Sequence, residues 1–145
     1  TADDFALSHP GGSLGKRLLL RVGDLMHSGD LLPRVGIDAT ISQALLEVSR
    51  KGLGMTAVVN EEGLLAGLFT DGDLRRLIEK GADLRSLRAR DVMHANPRTI
   101  RVDALAVEAA EMMEQWRITS ILVVDEAGHL CGALNTNDLM RAKVI

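Results

Sequence analysis

The sequence contains very few aromatic residues and a single cysteine. Only 2% of its 145 residues are aromatic, with one tryptophan, two phenylalanines and no tyrosine. Proteins that bind single-stranded nucleic acid stack bases on aromatic side chains. With so few aromatic residues, this sequence does not indicate a protein of that class. The lone Cys131 cannot form an internal disulfide. We interpret it as a core thiol in a protein of the reducing cytoplasm.

Long apolar runs and a strong excess of one charge are also missing. No apolar stretch approaches the roughly 20 residues that cross a bilayer, and no signal-peptide pattern opens the chain. The formal net charge is -3 and 26% of the residues are charged, which disfavours nucleic acid as a partner. With 46% hydrophobic residues, the composition is that of a compact soluble domain, and we expect no membrane association.

What the sequence does contain is a duplication. GLFTDGDLRR (67-76) is followed 65 positions later by GALNTNDLMR (132-141), and LRVGDLMH (20-27) matches LRARDVMH (87-94) at a separation of 67. Self-similarity at a fixed period indicates a repeated structural unit, and two copies of roughly 60 residues make a better core when packed on each other. The predicted domains are a junction at 1-20, a first repeat at 21-83 and a second repeat at 84-145.

Each copy is predicted to run strand, helix, strand, strand, helix. Residues 38-52 show a helical apolar spacing and open with Thr40 followed by Gln43, which resembles a capping box. Two short aliphatic runs joined by a glycine-bearing turn predict a hairpin, and residues 70-81 predict a second helix. We therefore predict an α/β (α+β) fold of two pseudo-symmetric repeats, with a sheet that is not wholly parallel.

Motifs for a phosphate loop or a metal site are rejected. HPGGSLGKR (9-17) has too few residues between its glycines and lacks the Ser or Thr that would hold magnesium. Asp24 with His27, and Asp91 with His94, form two D-x-M-H sets. Without further clustered Cys or His, we interpret these histidines as surface or capping residues and expect no metal.

The T-x-x-D element at 70-73 has a chemistry of its own. The Asp73 carboxylate can accept hydrogen bonds from both vicinal hydroxyls of a ribose. Thr70, one helical turn earlier, can bond a phosphate oxygen beside the free helix N-H groups, and Arg75 and Arg76 add positive charge. The structural alternative is that Thr70 is an N-cap and that Asp73 complements the helix dipole. Both interpretations remain open at this stage.

Two copies of this unit, each ending in G-apolar-apolar-T-x-x-D-L, resemble a tandem pair of cystathionine-β-synthase-type (CBS) domains, the regulatory Bateman module. The resemblance covers residues 21-143. The first copy fits through Thr70 and Asp73, whereas the second keeps Asp138 but has Asn135 in place of the threonine. The resemblance implies a nucleotide-type ligand in the cleft between the copies and a homodimer formed through the modules.

In that family the ligand contacts this motif, the start of the hairpin and the loop after the D-x-M-H segment. Carried over by position, the predicted ligand-binding residues are Thr70, Asp73, Arg75, Met55, Thr56, Ala57, Asn135, Asp138, Thr119, Ser120, Ile121, Ser28 and Ala95. No cofactor is required.

A narrower resemblance concerns FALSHPGGSLGKRLLLRVGDLMH (5-27), which is similar to the junction between the sugar-isomerase domain and the CBS pair of arabinose-5-phosphate isomerases. It implies that the full-length parent, a higher oligomer, converts ribulose 5-phosphate to arabinose 5-phosphate for Kdo and lipopolysaccharide synthesis. His9 matches an isomerase-site histidine of that family but lacks its partners. We therefore expect no catalytic residue and no isomerase activity in these 145 residues.

The expected function is regulatory. A module that binds ribose and phosphate, attached to the first enzyme of a route that ends in the nucleotide sugar CMP-Kdo, suggests feedback by CMP-Kdo in the cytoplasm. Two alternatives stay open. One is an adenine-nucleotide sensor that binds AMP, ADP or ATP. The other is a purely structural oligomerisation module, in which Met112, Met113 and Trp116 of the predicted helix at 104-118 pack between modules.

Overall fold

The structure, a computed structural model, describes Gly15 and residues 18-145, and these form two compact units. The central unit consists of residues 29-98 and 128-130. The terminal unit consists of residues 99-127 and 131-145 together with the described residues up to Ser28. The predicted mixed α/β class with two related repeats is confirmed.

Each copy contains the predicted order of strand, helix, strand, strand and helix. The helices are α1 (Val22–Leu25), α2 (Ile41–Lys51), α3 (Asp71–Glu79), α4 (Ala89–Val92), α5 (Ala106–Trp116) and α6 (Thr136–Arg141). The strands are β1 (Arg34–Gly36), β2 (Met55–Val59), β3 (Leu65–Thr70), β4 (His94–Ala95), β5 (Thr99–Arg101), β6 (Ser120–Val124) and β7 (Leu130–Asn135). The structure adds two short helices, α1 and α4, and the short strand β4, which were not predicted. The helices of residues 18-145 are all too short or too polar to span a bilayer.

The central unit is a four-stranded mixed sheet covered by α2. Its strand order is β1-β2-β3-β4, with β1 parallel to β2 and the other pairs antiparallel. Helix α2 begins as predicted, because the Gln43 amide donates to Thr40 Oγ1 at 3.1 Å and the Thr40 amide donates to Gln43 Oε1 at 2.9 Å. It ends at Gly52, whose φ of 73° is the left-handed conformation that glycine adopts without steric cost. The buried core consists of Ile41, Ala44, Val48, Val58, Phe69 and Ala89.

The terminal unit is built in the same way around a three-stranded sheet. Its strand order is β5-β6-β7, with β5 parallel to β6. The apolar face of α5 is largely core, since Met113 is buried and Met112 packs against the same cluster, while Trp116 remains 44% exposed. The buried core consists of Val22, Ile100, Ala106, Ala109, Met113, Ile121, Val123, Leu134 and Leu139.

Each segment that contains a D-x-M-H motif lies in the compact unit that is formed mainly by the other sequence copy. Residues 87-94 begin the second copy of the sequence duplication, yet they lie in the central unit, where Ala89 is fully buried. Residues 20-27 lie in the terminal unit, where Val22 is fully buried. Each compact unit therefore combines the helix, hairpin and helix of one sequence copy with the D-x-M-H segment of the other.

Two glycines allow these segments to approach the hairpins. A Cβ added at Gly67 would lie 2.5 Å from Met93 Sδ and 2.8 Å from the His94 carbonyl oxygen. A Cβ added at Gly132 would lie 2.5 Å and 2.8 Å from the methionine sulfur and the histidine carbonyl of the other D-x-M-H segment. Only glycine fits such close backbone approaches. In the central unit, this contact sets His94 opposite Leu68 in the β3–β4 ladder.

Candidate functional site

The start of α3 is organised by Thr70 and Asp73. The Asp73 amide donates to Thr70 Oγ1 at 3.2 Å, and the Thr70 amide donates to Asp73 Oδ2 at 2.8 Å. These two hydrogen bonds form a capping box, because each residue satisfies a backbone N-H of the other. The interpretation of Thr70 as an N-cap is thus confirmed, and its contact with a phosphate stays a prediction.

The second carboxylate oxygen of Asp73 binds an arginine and a histidine. Oδ1 lies 2.5 Å from Arg76 Nη2 and 2.5 Å from His94 Nε2. The Asp73 side chain is 6% exposed, whereas those of Arg76 and His94 are each 59% exposed. A nearly buried carboxylate with two exposed, nitrogen-bearing partners therefore lies in the first turn of α3, directly after the hairpin of the central unit.

The terminal unit repeats this arrangement around Asp138. The Asn135 side chain replaces that of threonine as the cap, since its Oδ1 accepts from the Asp138 amide at 3.0 Å while Asp138 Oδ2 accepts from the Asn135 amide at 2.8 Å. Asp138 Oδ1 lies 2.5 Å from Arg141 Nη2 and 2.8 Å from His27 Nε2. The departure from T-x-x-D thus preserves the cap, because an amide oxygen accepts a hydrogen bond as a hydroxyl does.

The surroundings of Asp73 affect its ionisation in opposite directions. Burial opposes the charged form, but hydrogen bonds from the Thr70 amide, His94 and Arg76 outweigh burial and hold the pKa of the Asp73 carboxyl below its ordinary value. Asp73 is therefore a stable anion at neutral pH. Elsewhere, burial and the neighbouring Asp125 raise the pKa of the Cys131 thiol, which fits a structural rather than a reactive cysteine.

We expect Asp73 to make the fold sensitive to acid. A carboxyl whose pKa is lower in the folded chain stabilises the fold above its unfolded pKa of about 3.9, and this contribution is lost as the pH falls through the lower folded value. At about pH 5, the free energy of unfolding of the wild type should exceed that of Asp73→Asn. Below about pH 4, the difference between the two free energies should be smaller. Urea denaturation at each pH measures the margin, and a margin that does not shrink between about pH 5 and pH 3 would contradict the prediction.

The predicted residues at the start of the first hairpin lie beside this cluster. Met55 pairs with Thr70 across β2 and β3, and the Asp71 amide donates to the Gly54 carbonyl at 3.2 Å. Thr56 and Ala57 are fully buried in β2. Met55 is itself buried, at 1% exposure, so all three predicted residues at the start of this hairpin are buried in the central unit.

Two further predicted residues of the central unit lie at its surface. Arg75 is exposed, and Arg76 rather than Arg75 contacts Asp73, because a spacing of three residues returns to the same helix face and a spacing of two does not. Ala95 is exposed and follows His94 in β4.

The predicted residues of the second copy have matching positions. The Thr136 amide donates to the Thr119 carbonyl at 3.0 Å, which joins α6 to the start of β6. Ser120 and Ile121 begin that strand, with Ile121 buried. Ser28 is exposed directly after His27. His9, the isomerase-site match, lies outside the described residues.

The carboxylate contacts of His27 and His94 were not predicted from the sequence. His94 is a surface residue, as predicted, with its side chain 59% exposed. Beyond that prediction, His27 contacts Asp138 and His94 contacts Asp73, the two carboxylates of the duplicated motif. Their acidic neighbours Asp24 and Asp91 cap short helices, accepting from the Arg21 and Arg88 amides at 2.8 Å each. In the part of the chain that the structure describes, no three His, Cys, Asp or Glu residues cluster as metal ligands would.

Comparison with known proteins gives the following similarities. The CBS domain family model matches residues 22-80 and 89-145. The arabinose 5-phosphate isomerases KdsD of Pseudomonas aeruginosa and Escherichia coli are each 51% identical over all 145 residues. The chain spans 44% of the length of these relatives.

Solved structures share the fold. CBSX2, solved in complex with AMP, is 26% identical with a TM-score of 0.76, and the match covers 86% of this chain and 96% of CBSX2. A CBS domain protein from Pyrobaculum aerophilum, complexed with AMP, is 22% identical with a TM-score of 0.75, covering 83% of this chain and 90% of that protein. At that identity, the second likeness shows the fold alone.

Proposed function

We propose, since this chain belongs to the CBS-domain family, that it is the regulatory nucleotide-binding CBS pair of an arabinose-5-phosphate isomerase and senses the pathway end product CMP-Kdo. The observation that carries the proposal is the 51% identity to arabinose 5-phosphate isomerases over the whole chain. The isomerase activity belongs to the parent enzyme, and the 145 residues themselves supply the sensor.

The duplicated carboxylate cluster supports a nucleotide as the ligand. The Asp73 and Asp138 side chains are held at helix starts, with Oδ1 directed toward exposed arginine side chains. A ribose diol donates hydrogen bonds to such a carboxylate, and a phosphate accepts them from arginine. The complex of CBSX2 with AMP supports the same ligand class. CMP-Kdo carries both a ribose diol and a phosphate.

Feedback control requires more than binding. A ligand shifts an enzyme between conformations only by as much as its affinities for the two conformations differ. We therefore expect CMP-Kdo to change the activity of the full-length isomerase, measured as conversion of ribulose 5-phosphate, and to do so through the CBS pair. A homodimer of the module would be the assembly on which such control acts.

Calorimetric titration of the wild-type chain with CMP-Kdo, CMP, AMP and ATP tests the ligand assignment. CMP-Kdo should bind more tightly than CMP, because the end product supplies the additional sugar acid, and more tightly than the two adenine nucleotides. Tighter binding of AMP or ATP would identify an adenine-nucleotide sensor instead. Binding of none of the four would reject a nucleotide sensor and favour the oligomerisation role, which light scattering of the same sample would measure.

A further inference from the structure

The hydrogen bonds of the Asp73 carboxylate leave little capacity for a further partner. Oδ2 accepts from the Thr70 amide at 2.8 Å, and Oδ1 contacts both Arg76 Nη2 and His94 Nε2 at 2.5 Å. An ionised carboxylate has about four acceptor positions, and these contacts occupy three of them. A vicinal diol needs two acceptor positions. It can therefore bind Asp73 only if at least one of Arg76 and His94 leaves, and a diol that binds through Oδ1 alone displaces both.

Exposure indicates which groups are able to move. The Asp73 side chain is 6% exposed and is fixed in place by capping α3, whereas the Arg76 and His94 side chains are each 59% exposed. Exposed side chains change rotamer on the picosecond to nanosecond timescale, while a buried capping residue is held by the helix that it caps. Arg76 and His94 are thus mobile partners of a fixed carboxylate.

We propose that Arg76 and His94 form an exchangeable pair that makes this site selective for ligands carrying both a vicinal diol and an anionic group. The proposal rests on the proposed function, in which Asp73 accepts the ribose diol. When the diol takes Oδ1, the pair turns from the carboxylate to the ligand's anionic group, and charge-assisted hydrogen bonds are exchanged rather than lost. A neutral nucleoside displaces the pair without offering it a new acceptor, and so binds more weakly.

The terminal unit supports this reading of the central one. Arg141 and His27 contact Asp138 Oδ1 although the capping residue differs, so the same pair recurs on a different local sequence. There, Arg141 is 69% exposed but His27 only 24%. Because His27 is less exposed than His94, it leaves its carboxylate less easily than His94 does. The exchange is therefore best tested in the central unit.

Calorimetric titration of the 145-residue chain with AMP and adenosine tests the proposal, because the two ligands differ only in the phosphate. The wild type should prefer AMP by roughly ten- to hundredfold, the contribution of about one charge-assisted hydrogen bond. In Arg76→Gln and His94→Gln this preference should fall to a few-fold through weaker AMP binding. Adenosine should bind these variants as well as the wild type or better, since less has to be displaced.

Two further variants separate this role from a structural one. Arg76→Lys keeps the charge and should retain part of the preference for AMP. Arg85→Gln is the matched control, because it removes an arginine of the same unit whose side chain is 95% exposed and does not contact Asp73. An AMP preference that is equal in Arg76→Gln, His94→Gln and Arg85→Gln overturns the proposal, and so does a wild type that binds neither ligand.

The wild type provides a readout that does not depend on the folding of any variant. AMP at saturation should shift the ring NMR signals of His94, since the ring exchanges Asp73 for the phosphate. Unchanged signals would overturn the exchange. Failure of CMP-Kdo sensing would look different, because CMP-Kdo would then bind no more tightly than AMP while the preference of AMP over adenosine persisted.

Discussion

Gly67→Ala is expected to lower the free energy of unfolding by about 3 kcal/mol, at the upper end of the range for overpacking a tight contact. The added Cβ would lie 2.5 Å from Met93 Sδ and 2.8 Å from the His94 carbonyl oxygen. The methionine side chain can turn away, but the carbonyl belongs to the β3–β4 ladder, in which Leu68 pairs with His94. The strand itself must shift, and His94 then moves away from Asp73.

Urea denaturation of Gly67→Ala and Gly36→Ala measures this effect with a matched control. Gly36 lies in β1 of the same sheet, and a Cβ added there meets no atom within 4 Å. Gly132→Ala should destabilise the chain as Gly67→Ala does, because its Cβ would lie 2.8 Å from the His27 carbonyl oxygen. Equal stabilities of Gly67→Ala and Gly36→Ala would show that the close approach of the D-x-M-H segment does not require glycine.

The helices and their caps could be predicted because neighbouring residues decide them. Thr40 and Gln43 are three positions apart, and their reciprocal hydrogen bonds form within one turn of chain. The left-handed conformation at Gly52 is equally local. The same reasoning gave the N-cap at Thr70, although it left open whether Thr70 also meets a ligand.

The partners of the D-x-M-H segments could not be predicted from the duplication. A fixed period shows that both copies contain the motif, but it does not show which copy's hairpin each motif contacts. His94 reaches Asp73 across 21 positions and His27 reaches Asp138 across 111, so identical contacts arise from very different sequence separations. The first D-x-M-H segment of the sequence thus contacts the second hairpin, and the second D-x-M-H segment contacts the first hairpin.

One sequence signal for this contact was available. Gly67 and Gly132 each precede the polar capping residue by three positions within an otherwise aliphatic strand. A glycine inside a strand marks a place where another backbone approaches closely. Combined with the repeated histidines, it indicates that a D-x-M-H segment lies across the strand, close to the following aspartate.

Asp73→Ala should weaken nucleotide binding to the central unit by at least a hundredfold, while lowering the free energy of unfolding by only about 1–2 kcal/mol. The stability loss is that of a helix cap, because Arg76 and His94 are more than half exposed and become hydrated when the carboxylate is removed. The binding loss is larger. A ribose diol loses two charge-assisted hydrogen bonds of about 1.5–3 kcal/mol each. Because Arg76 and His94 no longer have to be displaced, the net loss is smaller than the sum of the two bonds, but a net loss of about 2.7 kcal/mol already corresponds to a hundredfold change.

Asp71→Ala is the control that separates a direct contact from a general effect of charge. Asp71 is the exposed first residue of α3, so its loss changes the charge of the same helical turn by the same amount. Removing either carboxylate favours an anionic ligand electrostatically. Only a direct bond between Asp73 and the diol predicts opposite results, with calorimetry showing AMP binding lost in Asp73→Ala and retained or improved in Asp71→Ala. If Asp73→Ala folds and binds AMP with wild-type affinity, the Asp73 carboxylate does not bind the ligand, and its role is to cap α3 and to hold the D-x-M-H segment in place.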